Sequence, residues 1–147
     1  MSEVSPHQAG NTAPRPDPTL LVVDDDELIR NLVRAILLSY GYTVLVAADG
    51  PQALALSRAQ PGPIELLIAD VIMPGMNGLE LAGQVTAERP ETRVLYISGY
   101  SGAILMESVG MPADIEILHK PFTSLDLGAR VQAILRAGPE PIKSVPV

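Results

Sequence analysis

Between residues 19 and 137, short continuous apolar runs alternate with amphipathic stretches. Leu20-Leu21-Val22-Val23, Leu66-Leu67-Ile68-Ala69 and Val94-Leu95-Tyr96-Ile97 are unbroken by charge. Runs of this length, bounded by turn residues, read as strands buried on both faces. The pattern predicts strands over about 19–24, 43–47, 64–69, 93–97 and 114–118. Between them lie helical patterns over about 27–39, 51–60, 79–88, 102–109 and 124–136. Leu28, Leu32, Val33 and Ile36 share one face of the first. Gly41 suits its C-terminal cap. Pro51 opens the second helix and Pro61-Gly62-Pro63 stops it. The third ends before Pro90, and the fourth ends near Gly110. Thr123 with Asp126 three residues on forms a capping box for the last.

Five βα units with short connections imply an α/β fold, a five-stranded parallel sheet covered by helices on both faces. Right-handed crossovers leave few topologies, one of them the doubly wound order 2-1-3-4-5. In that order strands 1, 3 and 4 are neighbours and strand 5 flanks strand 4. The apolar runs end abruptly in polar groups: Asp24-Asp25, Asp70, Ser98 and, through His119, Lys120-Pro121. Ligands bind at the carboxyl edge of open α/β sheets, so these groups converge on one predicted site. Taken singly, each has a plainer reading as a turn residue or helix cap. Asp26 and Glu27 read most simply as favourable charges at a helix start, and His7 and His119 as bystanders. The joint placement on successive strands argues for chemistry.

Three carboxylates this close repel one another by several kcal/mol, and a hard divalent cation such as Mg²⁺ relieves that repulsion with all-oxygen ligation. Lys120 adds a second cation and Ser98 a hydroxyl. Metal, lysine and hydroxyl together neutralise the oxygens of a transferring phosphoryl group. An aspartate can itself be the nucleophile. The set therefore reads as aspartyl phosphorylation.

Composition narrows the class. The 147 residues carry a formal charge of −7, with a basic-face deficit that argues against nucleic-acid binding. Hydrophobic residues make up 47% and aromatics 3%, so the core is built from Leu, Val, Ile and Ala. No cysteine is present, which removes thiolate metal sites and cysteine nucleophiles. No run is long enough to span a membrane, and the first residues lack a signal peptide's features. A cytoplasmic location is the expectation. Residues 1–18, with Pro6, Pro14, Pro16 and Pro18, read as a disordered arm, and 138–147 as a flexible tail.

Four segments in order carry a resemblance: Val22-Val23-Asp24-Asp25-Asp26-Glu27, Ile68-Ala69-Asp70-Val71-Ile72-Met73-Pro74-Gly75-Met76-Asn77-Gly78, Ile97-Ser98-Gly99-Tyr100 and His119-Lys120-Pro121-Phe122. Over about 19–137 the chain resembles the receiver domain of bacterial two-component response regulators, and its Ser-Gly-Tyr segment looks like receivers attached to hybrid histidine kinases. The resemblance implies a flavodoxin-like (βα)5 fold. It implies that Asp70 is the phosphoacceptor and that Asp25 ligates Mg²⁺ directly, with Asp24 helping directly or through water. The backbone carbonyl of Ile72 would be a further ligand. Lys120 would pair with Asp70 and then with the phosphoryl group, Ser98 would be the switch hydroxyl, Gly99 would keep the approach open, and Lys120-Pro121 would be a cis peptide. The family's switch aromatic falls on Ile117, which carries no ring. A readout near Tyr100, Ile115 and Ile117 is expected.

The implied function is a phosphorelay receiver without a fused output domain, a phosphoacceptor and not a turnover enzyme. Its partners would be a histidine kinase or histidine phosphotransfer protein and an unknown downstream protein, with no nucleic acid and no membrane. A monomer or a weak homodimer through the helix 4–strand 5–helix 5 face is expected. Two alternatives stand beside it. An aspartate-nucleophile phosphatase typically carries a second Asp two residues after the nucleophile, where this chain has Ile72. A pseudo-receiver acting only through protein contacts is favoured by Ile117 alone. Nucleotide binding lacks a glycine-rich phosphate loop.

Overall fold

The computed structural model describes residues 17–137. The arm expected over 1–18 lies outside them apart from Asp17 and Pro18, and the tail over 138–147 lies outside them entirely. Ten elements alternate: β1 (Thr19–Val23), α1 (Glu27–Ser39), β2 (Thr43–Ala47), α2 (Gly50–Ala59), β3 (Leu66–Asp70), α3 (Gly78–Glu88), β4 (Arg93–Ser98), α4 (Gly102–Val109), β5 (Ile117–His119) and α5 (Ser124–Ala137). The strands pair in parallel in the order β2-β1-β3-β4-β5. This is the doubly wound order that the alternation of patterns leaves among a few, and the flavodoxin-like fold that the resemblance implies.

Side chains along a strand point alternately to opposite faces, and each face of this sheet has its own core. On one, Leu20, Val22, Ile68 and Ile97 pack with Val33 and Leu37 of α1 and with Leu127 and Val131 of α5. On the other, Leu21, Val23, Leu67 and Ala69 pack with Ala53 and Leu54 of α2 and with Leu81 and Val85 of α3. Full burial of each large aliphatic side chain contributes roughly 1.5–3 kcal/mol. These two layers fix the sheet as a rigid platform.

Helix starts follow local chemistry. Asp26, Asp49, Asn77 and Ser101 each accept backbone N–H groups at an N-cap. The predicted box of Thr123 with Asp126 forms, both bonds being 3.0 Å.

Two strands start more than one residue from expectation. Strand 5 begins at Ile117 instead of 114, because Ile115 N–H bonds back to Pro112 O in a turn. The chain joins the sheet only where Ile117 meets Tyr96. Strand 3 is shifted to Leu66–Asp70 from the expected 64–69, so Asp70 is itself a ladder residue opposite Ile97. No helix of the described residues is long and apolar enough to cross a membrane.

Candidate functional site

β1, β3 and β4 end side by side, and β5 lies beyond β4. Asp24 follows β1 directly, and its N–H still bonds Ala47 O at 3.3 Å. Its side chain turns inward and is fully buried. Oδ1 accepts the Asp26 N–H at 2.8 Å. Oδ2 makes no hydrogen bond of good geometry, and its charge partner is Lys120 Nζ at 3.1 Å. Asp25, one residue on, is exposed. Asp26 caps α1 through Leu28 and Ile29, as a helix-start charge should.

Asp70 closes β3 and is 6% exposed. Gly78, first residue of α3, bonds Val71 O at 2.8 Å, so the helix start lies against the end of β3. A side chain at Gly78 would run into the Asp70 carbonyl oxygen. Ser98 closes β4, fully buried, and its Oγ accepts the Tyr100 N–H at 2.9 Å. Lys120 follows β5 and is tied to Ser98 O by its own N–H at 2.8 Å. The Lys120–Pro121 peptide is cis, as the resemblance implied.

Lys120 Nζ reaches both buried carboxylates, Asp24 Oδ2 at 3.1 Å and Asp70 Oδ2 at 3.6 Å. Its closer partner is thus Asp24 and not Asp70, because Asp24 Oδ2 is deeper and has no other donor. Burial pushes the Asp70 carboxyl up to about 7 from its ordinary 3.8, reinforced by repulsion from Asp24 and Asp25 and opposed by Lys120. Carboxylate oxygens of Asp24, Asp25 and Asp70 all lie within 4.8 Å of one another. Three acids against one lysine leave the cluster short of positive charge. With an under-bonded buried oxygen and an all-oxygen donor set, these residues fit a hard divalent cation. The site opens into a cleft of about 700 Å³ lined by Asp25, Asp70, Ile72, Gly99, Tyr100 and Lys120, among others. Every residue singled out at the strand ends is therefore at one edge.

Residues 20–132 match the family model of the response regulator receiver domain. The chain belongs to the response regulator receiver family. The receiver is similar to the response regulator receiver protein CpdR of Brucella abortus, with 36% identity over 118 residues, 80% of this chain and 96% of that one. It is also 31% identical over 117 residues to the sensor kinase CckA of the same organism, covering 80% of this chain but 12% of CckA. Among solved structures, the receiver domain of the hybrid histidine kinase CckA superposes with a TM-score of 0.66 at 34% identity, covering 80% of this chain and 98% of that one. CheY4 of Vibrio cholerae, a chemotaxis protein, gives 0.68 at 30% identity with the same coverages.

The receiver's other expected residues are dispersed around the cleft. Ile117 is half-buried on β5, away from Asp70, and packs near Tyr96, Leu105 and Met111. Tyr100 lies in the loop between β4 and α4 and is 49% exposed. Two contributors escaped sequence reasoning. Arg30 on α1 donates from Nη1 to the Asp24 carbonyl at 2.8 Å and holds the acidic loop. Its sequence signal is nil, since an arginine on a surface helix is ordinary. Gly78 had a signal, as a glycine at a helix start eight residues after the phosphoacceptor candidate, but its need for close approach appears only once α3 is docked.

Proposed function

We propose that this receiver accepts a phosphoryl group on Asp70 from a phosphohistidine donor in the presence of Mg²⁺. The observation that carries it is the convergence of Asp70 with two further carboxylates, Lys120 and Ser98 at one sheet edge beneath an open cleft. The ionised Asp70 oxygen attacks phosphorus. A P–O bond forms as the P–N bond to the donor imidazole breaks, and the imidazole leaves with that electron pair and takes up a proton. Asp24 and Asp25, with Asp70 itself and the Ile72 carbonyl, would hold the cation, which would offset charge on the phosphoryl oxygens. Lys120 offers a second positive centre between Asp24 and Asp70, and the Ser98 O–H is available to donate to a phosphoryl oxygen.

Burial that raises Asp70 to about 7 also makes it a stronger nucleophile once ionised, and the neighbouring positive charge favours that ionised form. The protein acts as a phosphoacceptor that promotes its own modification and its reversal, not as a turnover enzyme. Its partners on this reading are a histidine kinase or a histidine phosphotransfer protein, and a downstream protein. Incubation with Mg²⁺ and acetyl phosphate should add the mass of one phosphoryl group. Asp70→Asn should remove that gain. Equal labelling of wild type and variant would refute Asp70 as acceptor, and no labelling of either would favour a purely protein-binding module.

A further inference from the structure

Two of the three clustered carboxylates sit in the loop from β1 to α1, and they are held in different ways. Asp24 is buried and is fixed by the Asp26 N–H and by Lys120. Asp25 is exposed and lines the cleft, so no packing sets the direction of its carboxylate. That direction follows from the backbone that carries it, through the two planar peptide groups on either side of its Cα.

Both peptide groups are tied. In the one after Asp25, the Asp26 N–H donates to Asp24 Oδ1 at 2.8 Å. In the one before it, the Asp24 carbonyl accepts from Arg30 Nη1 at 2.8 Å. Asp24 is fully buried, so its carbonyl needs a partner, and the β1 ladder ends with the Asp24 N–H on Ala47 O. Arg30 grips the loop a second time, because its own N–H bonds Asp26 O at 2.9 Å as the first turn of α1 closes. The half-buried Arg30 side chain therefore locks the one peptide group that the carboxylates themselves leave loose. A guanidinium has two effects on a cation site, and they differ in sign. As a charge it competes with a divalent ion, so its removal would tighten binding. As the donor that fixes the Asp25 backbone, its removal would weaken binding.

We propose that Arg30 is a positioning residue of the cation site, which holds the Asp24 carbonyl and thereby keeps the Asp25 carboxylate turned toward those of Asp24 and Asp70. The oxygens of these three acids lie within 4.8 Å of one another, so a small rotation of the Asp25 backbone would break up the set. This rests on the receiver reading. Groups bonded behind a metal ligand typically govern about 10–100-fold in metal affinity, which outweighs the opposing effect of one half-exposed charge.

The test titrates the full chain with MgCl2, without any phosphodonor, and follows amide NMR signals. Arg30→Met keeps the apolar stem and removes the donor. Arg34→Met removes the same charge from an exposed position one turn further along α1. Arg30→Met should weaken Mg²⁺ binding by about tenfold, whereas Arg34→Met should leave it unchanged or tighter. Arg30→Lys, which keeps the charge but not the planar fork, should fall between wild type and Arg30→Met. In metal-free protein the Asp25 amide signal should move in Arg30→Met and not in Arg34→Met, while unmoved signals from β3 and β4 report an intact fold. Unchanged or tighter binding in Arg30→Met overturns the proposal, as does equal weakening in Arg34→Met. Should Arg30→Met fail to fold, Arg30→Lys decides: weaker binding supports the proposal and wild-type affinity overturns it. A wild-type chain whose signals ignore millimolar Mg²⁺ refutes the cation site of the receiver reading itself, a distinguishable result that takes this inference with it.

Discussion

Lys120 sits between two buried carboxylates and favours the deeper one. At 3.1 Å from Asp24 and 3.6 Å from Asp70, it is the charge that makes both burials tolerable. Removing one partner of a buried ion pair leaves an uncompensated charge and costs about 3–5 kcal/mol. Lys120→Met should therefore destabilise the protein by roughly that amount in urea unfolding, at the low end since the lysine side chain is 19% exposed. Adding Asp24→Asn should recover part of the loss, with a coupling of about 1–3 kcal/mol. The same cycle with Asp70→Asn should show a smaller coupling, because that contact is longer and Asp70 can relieve itself by taking a proton near pH 7. A larger coupling to Asp70 would mean that the ammonium belongs to Asp70 in solution. Lys120→Arg should not restore the wild-type value, since a planar fork does not replace a compact ammonium between two acids.

At the scale of elements, the site depends on how closely helices approach strand ends. α3 starts against the backbone of Asp70, with no room for a methyl group at Gly78. Gly78→Ala should cost about 1–3 kcal/mol as α3 shifts outward, and amide shifts in the mutant should centre on Asp70–Ile72. Unperturbed shifts there would disprove the close approach. α4 is the opposite case. Leu105 is its one buried residue, with Val109 packed partly buried beside it, and Leu105→Ala should cost about 2–5 kcal/mol if α4 unfolds only with the whole domain. A much smaller loss, with fast amide exchange confined to α4, would identify that helix as an independently opening unit. The elements themselves were legible because buried parallel strands are unbroken apolar runs, and Asp24, Asp70 and Ser98 stop those runs abruptly. Helix starts were legible where Pro51 or the Thr123–Asp126 box announced them. The start of β5 was not, because Ile115 and Ile117 look alike as apolar residues while a turn bond to Pro112 removes only the former from the ladder. Nor could the sequence show that Lys120 lies nearer Asp24, since both acids end neighbouring strands and a few tenths of an ångström decide it. Arg30 left no trace, because its role depends on a carbonyl whose direction is set by the fold.

For the whole molecule, the acidic site is a cost that folding carries and that ligands or protons relieve. The Asp70 carboxyl titrates near 7 in the folded protein against about 3.9 in an unfolded chain. Between those values the folded state holds a proton that the unfolded state has released. Stability should therefore fall as pH rises from about 4 to about 7, and then level off. A shift of about 3 units bounds the change at about 4 kcal/mol. Asp126 and Glu88, held below the usual carboxylate range by Thr123 and Arg58 respectively, act with the opposite sign. Their stabilisation is lost only below about pH 4, outside this window. Tyr42 and Tyr96, raised by burial, titrate above it. Urea unfolding in chelator at a series of pH values should thus show the decline, and Asp70→Asn should flatten it while making the protein more stable than wild type at pH 7.5. Mg²⁺ should lift the wild-type curve chiefly at the high-pH end, where Asp70 is ionised, by about 1.4 kcal/mol at ten times its dissociation constant. Asp70→Asn should lose most of that gain. A flat wild-type profile in chelator would show that water reaches Asp70 far more freely than its 6% exposure implies. A Mg²⁺ effect equal at both ends of the pH range would separate cation binding from this carboxylate.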